Sequence, residues 1–312
     1  RSPEHWLVLL GHLVGDGSYL KHQPLRYTSA SEWNLTVVAQ AAAAFGSRVH
    51  RHPGRGMWRQ LVISGNGNRW HAAGVGRWLK ELGIFGQRSH EKRLPPGVFT
   101  LPDDQIALLL SHLWATDGSI TMRKPSGKGP QARVYFASSS IGLVRDVVAL
   151  LLRLGIVGRI RTVHTEGYRP RHTVDVSGGE AQRRFLSRVG GVGPRERAAE
   201  ALSVELMDRE VNPNVDTLPE EILQRVCAVM HDRGITRSRI AAMRGFTRVN
   251  LDHSPSRTLI SKYAQIPDDE ALRQSCQSDL FWDRITSISE DAEEEVFDLT
   301  VPGPANWLAD GI

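Results

Sequence analysis

The chain has 312 residues, of which 40% are hydrophobic and 23% are charged, as in a globular protein with a sizeable core. No apolar run is long enough to cross a bilayer. The two cysteines, Cys227 and Cys276, match no metal-binding or redox spacing and suit a reducing cytoplasm. The length predicts either two domains or one pseudo-symmetric unit with an appendage.

The net charge of +5 is unevenly distributed. Acidic residues concentrate between Asp268 and Asp298, so the rest of the chain is more basic than the total indicates. Arginines on the predicted strands of this basic part favour a polyphosphate partner such as nucleic acid. A solvated, arginine-rich surface is the alternative, and charge alone leaves both interpretations open.

The first half of the chain begins with an apolar helix that stops at Asp16, within residues 9–18 (LLGHLVGDGS). The pattern after it predicts a strand pair, a helix, a second strand pair around a Pro-Gly turn, and a closing helix. These elements are predicted at residues 26–31, 32–45, 48–52, 58–64 and 70–82. Gly46 suits the left-handed position that follows a helix.

The second half repeats this order. Residues 110–119 (LSHLWATDGS) end on the same Asp-Gly-Ser, with Asp117 in the place of Asp16. The following elements are predicted at residues 133–138, 141–154, 158–162 and 171–177, with a last helix ending at 189. The repetition predicts a duplicated αββαββα unit with an internal pseudo-two-fold axis, its copies at residues 4–98 and 99–202.

The pattern changes after residue 202. Residues 203–280 predict a small helical accessory region, and residues 281–312 predict a separate β segment. Within the helical region, residues 234–245 are similar to the turn and second helix of a helix-turn-helix, where Arg237 and Arg239 would face base edges. An ordinary helical hairpin is the alternative.

The two aspartates are the candidate chemical site. An Asp-Gly after one apolar helix is a common turn signal and indicates little by itself. If the duplicated helices pack side by side, Asp16 and Asp117 meet at their ends, where two carboxylates repel unless a cation lies between them. Mg²⁺ prefers carboxylate, water and phosphate oxygens, and a pair of metals is a standard arrangement for phosphodiester hydrolysis.

Close packing of these helices requires small residues at their interface. The first helix offers Gly11 and Gly15, four residues apart. An alignment of the two motifs on their aspartates pairs Gly11 with His112 and Gly15 with Thr116. The two helix faces are therefore not strictly equivalent.

With these motifs, the chain resembles the LAGLIDADG homing endonucleases that are embedded in inteins. The resemblance implies an α+β fold of two pseudo-symmetric repeats with saddle-shaped antiparallel sheets, a helical insertion and a C-terminal segment of a splicing domain. It also implies a monomer that cleaves both strands of a long asymmetric DNA site with Mg²⁺, or with Mn²⁺ as a substitute. A degenerate, maturase-like module that binds DNA without cleaving it is the alternative.

The resemblance also assigns the site residues. Asp16 and Asp117 would bind the catalytic metals, together with the residues before them, Gly15 and Thr116. Lys92 matches the family's Lys-x-x-Pro pattern and would polarise water or phosphate; a surface lysine on a loop is the alternative.

The second repeat has Arg195 and Arg197, and no lysine, in the comparable region.

DNA would lie along the sheets, where arginines pair with guanine or hold phosphates. The candidate DNA-binding arginines on predicted strands are Arg26, Arg48, Arg59, Arg133, Arg159, Arg161 and Arg171.

The tail gives a second resemblance. Residues 296–301 and 307–312 are similar to the block that precedes the C-terminal splice junction of inteins, such as those in actinobacterial replicative DNA helicases. Asp298 takes the acidic position of that block, and Ala305 stands where a histidine is common. The sequence lacks the other junction residues, so we expect no splicing from it as given. Host exteins would flank the chain, and the intein-less allele of the host gene would be the DNA partner.

Overall fold

The computed structural model describes residues 2–68, 70–123, 131–207, 217–236, 238, 256, 257, 260, 261, 269–278, 282, 285, 288–290 and 293. The described residues up to 207 belong to one compact unit, and those from 217 onward belong to a second. Across these described ranges, no helix is long and apolar enough to cross a membrane.

The first unit contains the predicted duplication. Its first copy consists of α1 (Glu4–Asp16), β1 (Gly17–Ser18), β2 (Leu25–Ser29), α2 (Glu32–Ala43), β3 (Arg48–Pro53), β4 (Arg59–Ser64) and α3 (Gly74–Glu81). Its second copy consists of α4 (Asp103–Asp117), β5 (Gly118–Arg123), β6 (Gln131–Ser138), α5 (Ile141–Arg153), β7 (Gly158–Val163), β8 (Arg171–Val176) and α6 (Gly179–Arg188). The predicted αββαββα order is confirmed in both copies.

Each copy forms a four-stranded sheet. The strand orders are β1-β2-β4-β3 and β5-β6-β8-β7, and every pairing is antiparallel. The predicted α+β class with two antiparallel sheets is therefore confirmed. Two short 3₁₀ helices, Pro96–Thr100 and Gly193–Arg195, follow the copies, and α7 (Glu196–Met207) closes the unit.

Equivalent local signals set the helix ends in both copies. The Ser31 side chain caps α2 by accepting a hydrogen bond from the backbone N–H of Asn34, and Ser140 caps α5 in the same way through Leu143. Gly46 and Gly155 follow these helices with φ of 70° and 67°, the left-handed conformation that glycine adopts without strain.

The core of the first unit is built around α1 and α4, which pack against each other. Leu9 and Leu13 of α1 and Leu109 and Leu113 of α4 are all 0% exposed. Burial of a leucine side chain contributes about 1.5–3 kcal/mol, so this central pair of helices is a main source of stability. The packing brings the C-terminal ends of both motif helices to the same place.

The closing helix of the first copy begins later than predicted. Trp70 was expected within it, but α3 starts at Gly74. The Asn68 Oδ1 atom accepts hydrogen bonds from the backbone N–H groups of Trp70 and His71, at 2.9 and 2.8 Å. This local turn competes with helix formation, which explains the delayed start.

The second unit contains α8 (Glu220–Asp232) and α9 (Glu270–Gln277), as the helical prediction for this region required. Val226 and Met230 of α8 and Leu272 of α9 belong to one small apolar cluster. Arg237, Arg239 and Asp298 lie outside the described residues, so the helix-turn-helix and splice-block assignments stay predictions.

Candidate active site

The interface between α1 and α4 is close because glycine lines the α1 side. A Cβ atom added to Gly11 would lie 2.9 Å from the Leu109 carbonyl oxygen and 3.0 Å from the His112 Cβ. A Cβ atom at Gly15 would overlap the Thr116 side chain. The larger residues of α4 therefore fill the space that the glycines of α1 leave open, and the unequal helix faces are complementary.

Asp16 and Asp117 are the last residues of α1 and α4. Burial, and secondarily the charge of Asp117, raise the pKa of Asp16 from 3.8 to about 7. Asp117 is more accessible, and desolvation by the packed helix ends raises its pKa as well. Neither carboxylate accepts a hydrogen bond from another described residue. The site thus holds two acidic groups whose ionised forms are stabilised by positive charge, part of which Lys92 and Arg195 supply.

Lys92 lies against the end of α1. Its ammonium group donates hydrogen bonds to the carbonyl oxygens of Gly15 (2.6 Å), Gly17 (2.9 Å) and Leu13 (3.4 Å). The residue is 6% exposed, so the alternative of a surface lysine is wrong. Burial lowers the pKa of Lys92 to about 8, although Asp117 and Asp16 act in the opposite direction.

The segment that carries Lys92 is anchored to the second copy. The Ser140 hydroxyl donates to the Lys92 carbonyl oxygen at 2.7 Å. Arg93 forms a two-point ion pair with buried Asp146 at 2.8 and 2.7 Å, and the Leu94 N–H donates to the same carboxylate. These contacts fix the main chain on α5 and direct the lysine side chain at the first motif helix.

Arg195 is the counterpart of Lys92 in the second copy. Its guanidinium donates to the carbonyl oxygens of Trp114 at 3.5 Å and Thr116 at 3.3 Å. In the alignment on the aspartates, these positions correspond to Leu13 and Gly15. A cationic side chain therefore binds equivalent carbonyls at the end of each motif helix, where the helix dipole favours positive charge.

A cleft of about 290 Å³ opens beside Asp117. It is lined by Val14, Gly15, Ser89, Lys92, Asp117, Ala137, Ser138, Ser139 and Arg171. Hydroxyls, a carboxylate and two cationic side chains in one opening suit a ligand that carries phosphate and a metal ion.

The donor set fits a hard divalent cation such as Mg²⁺. Asp16 and Asp117 offer carboxylate oxygens, and Mg²⁺ is commonly held by one or two carboxylates with water and phosphate completing its shell. The carbonyls of Gly15 and Thr116 already accept bonds from Lys92 and Arg195, but each retains a second lone pair. Over the described ranges, no group of three or more His, Cys, Asp or Glu residues offers a rival metal site.

Two histidines form a buried link between the copies that sequence reasoning missed. His12 Nδ1 lies 2.9 Å from the Tyr27 hydroxyl, and His12 Nε2 lies 3.1 Å from His112 Nδ1. The His112 ring stacks on Trp33 with an interplanar angle of 15°. Burial lowers the pKa of His12 to about 3 and that of His112 to about 4, so both are neutral at neutral pH. The available signal was one histidine in each motif copy.

All seven candidate arginines of the first unit lie on strands. Residues alternate across a strand, and buried residues such as Tyr27 and Val174 mark the face that packs on the core. We call the opposite side of each sheet its open face. The open-face arginines are Arg26, Arg48, Arg133, Arg159, Arg161 and Arg171. Arg59 has the other orientation, and its guanidinium donates to the carbonyls of Gly56 and Trp58.

Residues 104–190 match the family described as LAGLIDADG-like domain. This range lies within the second copy of the duplication. The replicative DNA helicase DnaB of Rhodothermus marinus is 43% identical over 321 residues, which cover 98% of this chain and 33% of the relative. The corresponding helicase of Synechocystis sp. is 35% identical over 316 residues, covering 98% and 36%. The chain thus spans about a third of the length of these relatives.

Solved structures that are similar to this chain include the homing endonuclease I-DmoI in complex with DNA and Mn. Its TM-score is 0.41 at 14% identity, covering 61% of this chain and 97% of that chain. Full-length DUF199/WhiA from Thermatoga maritima gives a TM-score of 0.44 at 12% identity, covering 91% and 95%.

Proposed function

We propose that the duplicated unit is a site-specific DNA endonuclease that hydrolyses phosphodiester bonds with a divalent metal ion. The observation that carries the proposal is the meeting of Asp16 and Asp117 at the ends of two closely packed helices. The cations Lys92 and Arg195, at equivalent positions beside them, support it. The family match of residues 104–190 supports it independently.

The chemistry divides between the metal and the protein. A bound Mg²⁺ would supply Lewis acidity toward the phosphodiester and a nucleophile at neutral pH. Asp16 and Asp117 would hold the cation, and Gly15 and Thr116 would contribute main-chain oxygens. Lys92, whose pKa of about 8 lies near neutral pH, can hold or release a proton beside the cleft and balance the charge of the phosphate.

The open faces of the two sheets bind the DNA on either side of this site. Arginine contributes phosphate contacts and, where its geometry is fixed, bidentate contacts to guanine. Because the two open faces differ in sequence, the recognised site is asymmetric. A single chain carries both motifs, so the enzyme acts as a monomer.

We further infer that the chain is part of an intein within a replicative helicase. The alignment of 98% of the chain with about a third of each helicase relative supports this context. The DNA partner is then the intein-less allele of the host gene, and exteins flank the chain before splicing. The actinobacterial origin, the cytoplasmic location and the preference for Mg²⁺ over Mn²⁺ belong to the same proposal.

The test is cleavage of a plasmid that carries the intein-less helicase junction. The full chain should cut it in Mg²⁺ and fail to cut it in EDTA. D16N and D117N should abolish cleavage, while E81Q, which removes an exposed carboxylate paired with Arg77, should cleave as the parent does. Undiminished cleavage by D16N or D117N would refute the metal assignment. Specific binding without cleavage in Mg²⁺ and Mn²⁺ would establish the alternative, a DNA-binding module.

A further inference from the structure

The open face of the second sheet contains a carboxylate among its arginines. Asp175 lies on β8 and is 6% exposed. Its Oδ2 atom accepts a hydrogen bond from the Thr173 hydroxyl at 2.9 Å, so the carboxylate is held in one orientation. An acidic group on a surface that faces DNA repels the phosphates and so weakens binding to DNA of any sequence. Its presence therefore requires a compensating gain.

The gain is the placement of two arginines. Arg133 on β6 and Arg161 on β7 reach Asp175 from opposite sides, each with its Nε atom 3.7 Å from a carboxylate oxygen. The Arg133 guanidinium also lies over the Tyr135 ring, 4.4 Å from its centre. Among the described residues, none hydrogen-bonds the terminal nitrogens of either arginine. Each guanidinium thus lies at ion-pair distance from the Asp175 carboxylate on its Nε side, and its outer edge is available.

The first sheet has no such arrangement. Val62 of β4 occupies the position equivalent to Asp175 of β8, since each lies two residues before a serine (Ser64 or Ser177). Its register partners are Arg26 and His50. The Nε atom of Arg26 is buried and lacks a hydrogen-bond partner within the described part of the chain. The two halves of the molecule therefore present arginine in different ways.

We propose that Asp175 is a positioning residue that orients Arg133 and Arg161 to recognise guanine in the half of the DNA site bound by the second sheet. The inference rests on the proposed function. A guanidinium whose Nε side faces a carboxylate can present its planar outer edge to the O6 and N7 acceptors of guanine, whereas an arginine without such a partner follows the phosphates. Asp175 thus lowers affinity for DNA in general and raises discrimination in one half-site.

The experiment uses a randomised DNA duplex library from which the full chain selects bound sequences. R133A and R161A identify the positions that the second sheet contacts. D175N keeps the size of the side chain and removes its charge. It should reduce the guanine preference at those positions by roughly ten-fold or more. Preferences in the other half should be unchanged, and affinity for random-sequence DNA should stay the same or rise.

The matched control is D103N. Asp103 also lies between two arginines, with Arg153 at 3.4 Å and Arg188 at 3.7 Å, but it begins α4 and is not on an open face. D103N should leave every preference unchanged. Equal thermal unfolding of D175N and the parent shows that any change is not a folding defect.

Three results would overturn the inference. If D175N retains the parental guanine preference, or loses preference equally in both halves, Asp175 does not position these arginines. If the parent chain selects no sequence at all, the proposed site-specific function fails together with the inference. A parental chain that selects a sequence which D175N does not alter removes the inference alone.

Discussion

His12 and His112 share a hydrogen bond across the contact between α1 and α4, with 3.1 Å between His12 Nε2 and His112 Nδ1. This bond joins the two copies of the duplication about one helical turn before Asp16 and Asp117. Both rings are buried and uncharged at neutral pH. Protonation of either ring at low pH should therefore weaken the packing between the two copies.

We expect the two histidines to lower stability as the pH falls. Their pKa values are depressed from 6.5 to about 3 and about 4, so between about pH 6.5 and pH 4 the unfolded chain binds protons that the folded chain does not. Each histidine contributes a loss of up to about 1.4 kcal/mol per pH unit. Urea unfolding at several pH values measures this loss.

Asp16 has the opposite effect on stability, because its raised pKa favours the folded state as the pH falls below about 7. The histidine contribution is therefore the difference between the parent and the double variant H12Q/H112Q. The variant should lose less stability on acidification than the parent does. Identical pH profiles would show that the histidines do not carry the effect.

G15A should destabilise the protein because its new Cβ overlaps Thr116. Overpacking of a close interface costs typically about 1–3 kcal/mol. G97A is the control, since a Cβ at Gly97 meets no atom within 4 Å and the residue does not have a positive φ. Chemical denaturation should separate the two variants, and T116A should restore part of the stability of G15A. An unaffected G15A would mean that the helices are farther apart than described.

Metal binding should strengthen as the pH rises through about 7, because Asp16 must lose its proton to become a ligand. Calorimetric titration with Mn²⁺ at several pH values measures the midpoint and the protons released. In D117N, loss of the neighbouring charge lowers the pKa of Asp16 and should move the midpoint to lower pH. A midpoint that does not move would show that the charge of Asp117 does not affect the pKa of Asp16.

R195A should slow DNA cleavage, since it removes the cation that binds the α4 carbonyls beside Asp117. Bonds from charged donors contribute about 1.5–3 kcal/mol, which is roughly ten-fold to a hundred-fold in rate if the loss falls on the transition state. R197A removes a neighbouring exposed arginine and should retain the parental rate. Single-turnover cleavage measures both, and equal rates would contradict a role for Arg195 as the counterpart of Lys92.

R48A should reduce the salt dependence of DNA binding, whereas R59A should not. Arg48 lies on the open face of the first sheet, and Arg59 lies on the opposite side with its guanidinium bonded to its own hairpin. Each lost phosphate contact reduces the slope of log affinity against log salt by about 0.9. Titrations at a series of salt concentrations give the slopes. A reduced slope in R59A would show that its guanidinium leaves the hairpin to meet DNA.

The duplicated architecture could be predicted because its signals are local. Asp-Gly-Ser ends both motif helices, Ser31 and Ser140 cap equivalent helices, and Gly46 and Gly155 terminate them. The delayed start of α3 was missed because the Asn68 turn outweighs the helical pattern around Trp70.

The polar contacts of the site could not be predicted in the same way. Lys92 binds carbonyls 75 to 79 positions away, and Arg195 binds carbonyls 79 and 81 positions away. The His12–His112 contact spans 100 positions and depends on the helix register, since the two residues are not equivalent in the motif alignment. Such contacts form only when the two copies pack together, so local sequence patterns do not predict them.

The attachment of the Lys92 segment to α5 limits how the duplicated copies can be exchanged. Lys92 serves α1, but Ser140 and Asp146 of the other copy hold its main chain. A chimera that replaces the second copy with a foreign one would lose the lysine from the first copy's half of the site unless the donor supplies an equivalent serine and aspartate. Any engineering of hybrid specificity in this scaffold must therefore carry residues 140 and 146 with the first copy, as if they belonged to it.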